Sequence, residues 1–154
     1  MGITYLRGDA TDPQASGIQI IAHICNDVGG WGKGFVLALS RRWSEPEQCY
    51  RAWFRSKDRF ELGEVQFVPV GESLEVANMI AQRDIVPGSE GPPIRYDALE
   101  KCLEKVAGHA AANSASVHMP RIGCGLAGGT WDKVEPIILK TLVASGVAVF
   151  VYDR

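Results

Sequence analysis

The sequence predicts a three-layer α/β/α sandwich, with a mixed, mostly parallel sheet and helices on both faces. Three observations lead there. Short strand-like runs alternate with segments of helical spacing along nearly the whole chain, the pattern of repeated strand–helix units. Two strand-like runs, Glu64 to Val70 and Leu74 to Ile80, are separated only by Gly71-Glu72-Ser73 and read as a hairpin, so the sheet is mixed. Gln19 to Ile24 is almost wholly apolar, as expected of a strand covered on both faces.

In chain order, residues 3–7 alternate like a strand that Gly8-Asp9-Ala10-Thr11 ends, and the apolar run at Gln19 follows. Phe35 to Trp43 carries apolar residues at helical spacing, with Arg41 and Arg42 near the carboxyl end, where cations suit the helix dipole. Ser44 lies three residues before Glu47, with Pro46 in the first turn. This predicts a capped helix running from Glu47 to Ser56. After the hairpin, Val86 to Pro93 is rich in proline and glycine and reads as a loop. Tyr96 to Ala112 is the clearest helix, since Leu99, Leu103, Val106, Ala107 and Ala110 share one face. Ser116 to Met119 is a short strand, followed by the glycine-rich stretch Pro120 to Trp131. A helix starts near Asp132 with Pro136 close to its first turn, and Ala148 to Tyr152 closes the chain as a strand.

At 154 residues this is one domain, residues 1–154, large enough to bury a core without disulfides or metal. No apolar run is long enough to span a bilayer, and the first residues lack a basic stretch followed by an apolar one. A cytoplasmic, monomeric protein with no membrane partner is the expectation. A net charge of −2 argues against non-specific nucleic-acid binding, which needs a basic surface. Cys25, Cys49, Cys102 and Cys124 make no CxxC or Cys/His pair, so no metal and no cofactor are expected.

Function is expected in the loops after the strands, because in such sheets ligands sit outside the carboxyl ends of the strands. Three loops carry glycine there: Gly8 to Thr11, Cys25 to Gly34, and Arg121 to Gly129. Gly123, Gly125, Gly128 and Gly129 allow backbone amides to approach a ligand, and a following helix start favours an anion such as phosphate. The second loop is the richest in reactive groups. Its glycines can wrap a sugar or phosphate, Trp31 offers a flat apolar wall, and Asn26, Asp27 and Lys33 supply hydrogen bonds or acid–base function. It is not a Walker loop, since Gly34 follows Lys33. Each residue also has a plainer role. Asn26 and Asp27 can bond their own turn, Lys33 can be a solvated cation, His23 a hydrogen-bonded structural histidine, Cys124 a small spacer and Asp9 a turn residue or helix cap.

Taken together, the strand ending in Gly8-Asp9-Ala10-Thr11, the His23-x-Cys25-Asn26-x-x-Gly29-x-Trp31-Gly32-x-Gly34 loop and the Met119-to-Leu126 run resemble a macrodomain, the ADP-ribose-binding fold. The resemblance runs in order over residues 3–153. It is strongest to the terminal ADP-ribose protein glycohydrolase and O-acetyl-ADP-ribose deacetylase type, and the Asn26-to-Trp31 loop is also similar to the yeast ADP-ribose-1″-phosphate phosphatase. The resemblance implies that Asp9 holds the adenine amino group with Ala10 nearby. It implies that Gly29, Gly30, Trp31, Gly32, Gly34 and Phe35 line the diphosphate and distal ribose. Arg121, Ile122, Gly123, Cys124, Gly125, Leu126 and Ala127 would form the second phosphate loop, extended by Gly128 and Gly129, and Tyr152 would border the adenine pocket.

Two positions depart from the glycohydrolase pattern. Gln82 stands where that type carries a lysine, and Ala127 where it carries an acidic residue. Glutamine forms no covalent adduct with an opened sugar and alanine is no base, so that mechanism does not transfer. The expected activity is removal of mono-ADP-ribose from a modified protein carboxylate or nucleic-acid end. Asn26 would orient ribose hydroxyls, Asp27 would position water, and Lys33 or Gln82 would contact substrate. The alternatives are an ADP-ribose reader without chemistry, and a phosphatase or deacetylase of small ADP-ribose metabolites.

Overall fold

The computed structural model describes residues 2–85 and 91–154, so Val86 to Glu90 of the expected proline-rich loop lie outside the described residues. Six strands form one sheet: β1 (Ile3–Arg7), β2 (Gln19–Asn26), β3 (Val65–Gly71), β4 (Leu74–Gln82), β5 (Ser116–Met119) and β6 (Val149–Asp153). Their order is β1-β6-β5-β2-β4-β3. Every neighbouring pair is parallel except the β3–β4 hairpin. The helices are α1 (Phe35–Arg42), α2 (Glu45–Ser56), α3 (Tyr96–Asn113) and α4 (Trp131–Thr141), with a short 3₁₀ turn at Val143–Ser145. The expected mixed sheet with helices on both faces is therefore observed. No described helix is long and apolar enough to cross a membrane.

The alternation of strand side chains divides the core into two layers. Ile20, Ala22, Ala77 and Met79 face α3 and α4, where Leu99, Leu103, Val106 and Ile138 are fully buried. Ile21, Cys25 and Val76 face the other way and pack with Trp31, Leu39 and Tyr50 beside α1 and α2. α3 ends at Ser114, which takes the left-handed conformation (φ 52°) without the help of a glycine.

Local expectations shift in three places. α2 begins at Glu45, and Ser44 is itself helical with no side-chain cap bond, so the predicted capping box does not form. α4 begins at Trp131, which moves Pro136 inside the helix, where it supplies no N–H to the Asp132 carbonyl. β2 and β4 run on to Asn26 and Gln82 because these residues pair with each other past a register shift at Cys25/Asn26.

β2 and β5 are neighbours, yet the chain leaves β2 toward α1 on one face and leaves β5 toward α4 on the other. Two loops that diverge from adjacent strands leave a crevice between them, the usual ligand position in open parallel sheets. Leu103 sits at the centre of the larger layer with no exposed surface. Leu103→Ala should cost about 2–5 kcal/mol of stability by lost burial and cavity formation. A shift in urea midpoint corresponding to less than about 1 kcal/mol would contradict that placement.

Candidate functional site

A cleft of about 590 Å³ opens at the carboxyl ends of β2, β4 and β5. Of the predicted residues, Asn26, Gly30, Trp31, Gly32, Lys33, Gly34, Phe35, Gln82, Arg121, Ile122, Gly123, Gly125, Leu126 and Ala127 line it. Asp27, Gly29, Cys124, Gly128 and Gly129 belong to the same loops but do not line it. Nor do Asp9, Ala10 and Tyr152, which lie at the carboxyl ends of the parallel strands β1 and β6. The lining also takes in His23, Ile24, Cys25, Val36, Ile85 and Pro120, which the sequence reading did not assign to the ligand. Ile85 is 57% exposed and stands at the start of a stretch that reads only as a connecting loop.

The β2 loop is shaped by one side chain. Asn26 Oδ1 accepts from the amides of Val28 (3.0 Å) and Gly30 (2.9 Å) and from the Tyr50 hydroxyl (2.9 Å), while Asn26 Nδ2 donates to the Gly30 carbonyl (2.9 Å). The turn role thus engages most of this buried amide. Asp27 Oδ1 accepts from the Asp84 amide (2.7 Å) and so ties the loop after β4 to the loop after β2, while Gln82 Nε2 donates to the Asp84 carbonyl (2.9 Å) within its own segment. Trp31 is only 4% exposed and packs on Tyr50 and His23. It supports the loop from beneath rather than standing open as a stacking wall.

The β5 loop folds back on itself through bonds from Gly129 N to Gly123 O (2.7 Å) and from Gly128 N to Gly125 O (3.0 Å). Two glycines here are sterically required. Gly123 has φ 77° and a Cβ there would collide with Ile94, and a Cβ on Gly129 would lie 2.6 Å from the Gly123 carbonyl. The amides of Gly125, Leu126 and Ala127, like those of Gly32, Lys33 and Gly34 opposite, donate to nothing among the described residues. The two loops approach each other where Leu126, 63% exposed, would lie 3.4 Å from a Cβ placed on Gly34. The helix start that lines the cleft is that of α1, at Phe35 and Val36. The start of α4, expected to serve the same purpose, does not line it. Ala127 is buried, and its carbonyl accepts the Ile94 amide (3.0 Å).

Among the described residues, the cleft lining contains Lys33 and Arg121 but no aspartate or glutamate. Arg121 pairs with Asp153 through two bonds (2.7 and 2.9 Å) and lies over the rings of Tyr5 and Trp131. Asp9 accepts from the Thr11 amide and hydroxyl and pairs with Arg154 (2.9 Å). Burial alone would raise its carboxyl, but the Thr11 bonds and the Arg154 charge outweigh that and hold it below its ordinary value. His23 and Cys25 form no nucleophile–base pair. The Cys25 thiol lies 3.8 Å from the same His23 Nε2 that bonds Asn78 Oδ1, and burial raises that thiol well above its ordinary value.

Asn26→Ala should therefore cost about 1–3 kcal/mol, because it strips the acceptor from the amides of Val28 and Gly30. Faster hydrogen exchange at Val28 and Gly30 would report the same loss, and unchanged exchange would contradict it. A second expectation concerns acid. Burial lowers His23 to about 4 despite the Asn78 bond, and lowers His118 to about 4 as well. Between that value and the ordinary 6.5 the unfolded chain binds more protons, so stability is full above 6.5 and falls as pH drops toward 4. Each histidine contributes a slope of up to about 1.4 kcal/mol per pH unit. Urea titrations at several pH values should show the decline, reduced in a His118→Phe variant. A flat profile would remove both assignments.

The sequence matches the Macro domain model over residues 22–138. A protein of unknown function from Bacteroides thetaiotaomicron superposes with TM-score 0.98 at 58% identity, covering 100% of this chain and 99% of that one. A macrodomain protein from Streptomyces coelicolor superposes with TM-score 0.89 at 54% identity, covering 99% of both chains. Chromodomain-helicase-DNA-binding protein 1-like of Danio rerio is 37% identical over 97% of this chain, which spans only 15% of that relative's length. The mouse protein of the same name is 34% identical over 97% of this chain, which spans 17% of its length. ADP-ribose 1″-phosphate phosphatase of Lodderomyces elongisporus is 25% identical, with 91% of this chain and 92% of that one covered. With its sheet, its cleft between the β2 and β5 loops and these matches, the chain belongs to the macrodomain family.

Proposed function

We propose that this macrodomain binds ADP-ribose in the cleft, with the diphosphate between the β2 and β5 loops and the adenine toward Asp9, Ala10 and Tyr152. The observation that carries the reading is the composition of the lining among the described residues: two cationic side chains, six loop amides with no acceptor there, and no carboxylate. Such a surface suits an anion held by backbone donors beside a helix start. Asn26 serves the ligand through Gly30, whose amide and carbonyl it fixes, and Lys33 is the cation free to follow a phosphate.

Hydrolytic release of ADP-ribose from a modified protein carboxylate or nucleic-acid end is the second reading. The similarity to a phosphatase acting on an ADP-ribose derivative favours it. Asp27 is its carboxylate: it stands in the β2 loop next to the lining residue Asn26, and the Asp84 bond engages one of its two oxygens. The remaining rate enhancement comes from holding the sugar through its diphosphate.

Calorimetry with ADP-ribose tests the first reading, and micromolar binding is the expected result. No heat at high ligand concentration would sink both readings. Release assays on glutamate-modified protein, end-modified DNA, ADP-ribose-1″-phosphate and O-acetyl-ADP-ribose separate them. A pure reader binds and releases nothing. Full turnover by Asp27→Ala would remove that residue from the chemistry.

A further inference from the structure

Glu47 was singled out by its spacing from Ser44 as half of a capping box, yet Ser44 makes no side-chain cap bond. The Glu47 carboxylate is used elsewhere. The Trp31 indole N–H donates to Ser40 Oγ (2.8 Å), and the Ser40 hydroxyl donates on to Glu47 Oε1 (3.0 Å). From the other side, Arg51 Nε donates to Glu47 Oε2 (2.9 Å), and Arg51 Nη1 donates to the Gly29 carbonyl (3.2 Å). Gly29 and Trp31 lie two residues apart in the β2 loop. The circuit therefore leaves the loop at Trp31, crosses α1 and α2, and returns at Gly29.

Two donors, the Ser40 hydroxyl and the Arg51 guanidinium, converge on the one carboxylate, and Arg51 donates to the Gly29 carbonyl as well. Gly29 has φ 78°, and a Cβ there would lie 2.6 Å from the Phe54 ring, so the turn sits against α2 with no room for a side chain. Asn26 fixes the inner turn at Gly30, and the Glu47 circuit fixes the outer side, with the cleft-lining Trp31 shared between them.

We propose that Glu47 is a positioning residue for ligand binding, acting through Ser40–Trp31 and Arg51–Gly29 to hold the β2 loop in its binding shape. The inference rests on the reading that ADP-ribose occupies the cleft with its diphosphate and distal ribose against this loop. Glu47 touches no ligand. Its pair with Arg51 is half-exposed, so its contribution to overall stability is small. Its effect is on how much of the population holds the loop ready.

The test compares ADP-ribose with AMP, which lacks the diphosphate link and the second sugar. Wild type, Glu47→Ala and Ser40→Ala are titrated with both ligands by calorimetry, and their melting temperatures are recorded. Glu47→Ala should weaken ADP-ribose about tenfold or more, the factor expected when only about a tenth of the molecules hold the competent loop. AMP affinity should stay within about twofold of wild type. Ser40→Ala, which cuts only one arm, should fall between. ADP-ribose affinity unchanged in Glu47→Ala, or equal loss for both ligands, would overturn the proposal. A wild-type protein that binds no ADP-ribose would instead overturn the functional reading beneath it.

Discussion

The acceptor capacity of one buried amide oxygen organises the ligand side of this fold. Asn26 Oδ1 takes three donors, two from the turn that follows it and one from Tyr50 on α2, and the Tyr50 hydroxyl also reaches the Asn26 carbonyl (2.6 Å). Buried polar groups are costly unless paired, so a side chain that pairs three at once decides what shape the loop takes. A glycine-rich loop without such a hub would sample many conformations, because glycine carries the largest conformational freedom to lose. With it, the loop is set from beneath and its outward amides are left for a ligand.

The same economy of polar groups runs through the sheet beside it. Asn78 is wholly buried, and its Nδ2 donates to the Pro46 carbonyl (3.2 Å) and to Gln66 Oε1 (3.0 Å). Those two acceptors fix its amide orientation, so Oδ1 faces His23 and demands a donor from Nε2 (2.5 Å). The tautomer of His23 follows, and so does its neutrality, since a charged imidazole at 2% exposure would lack solvation. A residue that could act as a base by type is thereby committed to structure. His118 is held likewise, between Ser116 Oγ (2.8 Å) and the Tyr152 hydroxyl (2.7 Å), against the Phe150 ring.

At the β1 edge, charge and aromatic surface are combined rather than separated. Arg121 leaves the β5 loop, pairs with Asp153 and covers Tyr5 and Trp131, while the Tyr5 hydroxyl donates to Glu135 and accepts from the Trp131 indole (2.9 Å). An arginine is suited to this, since its planar group stacks and forks at once. The arrangement links the β5 loop, β1, β6 and α4. The loop that closes one side of the cleft is thus tied to β6 through Asp153 and to β1 through Tyr5.

The order of strands and helices, the hairpin and the three glycine-bearing loops were all legible in the sequence, because periodicity and turn residues are local signals. The kinship was legible for a related reason: the Asn26 and Gly123 neighbourhoods are contiguous runs. The loop glycines were legible too, although Gly123 and Gly129 are required by packing against Ile94 and the loop's own carbonyl. What the tertiary structure alone decided is which partner each polar group takes. Asn26 belongs to Tyr50, 24 positions away, Asp27 to Asp84, 57 positions away, and Glu47 to Ser40 and Arg51 rather than to the helix end at Ser44. Residue type sets what a side chain can donate or accept, but the choice among partners is made by distance, and distance between remote segments exists only once the sheet has brought β2, β4 and α2 together.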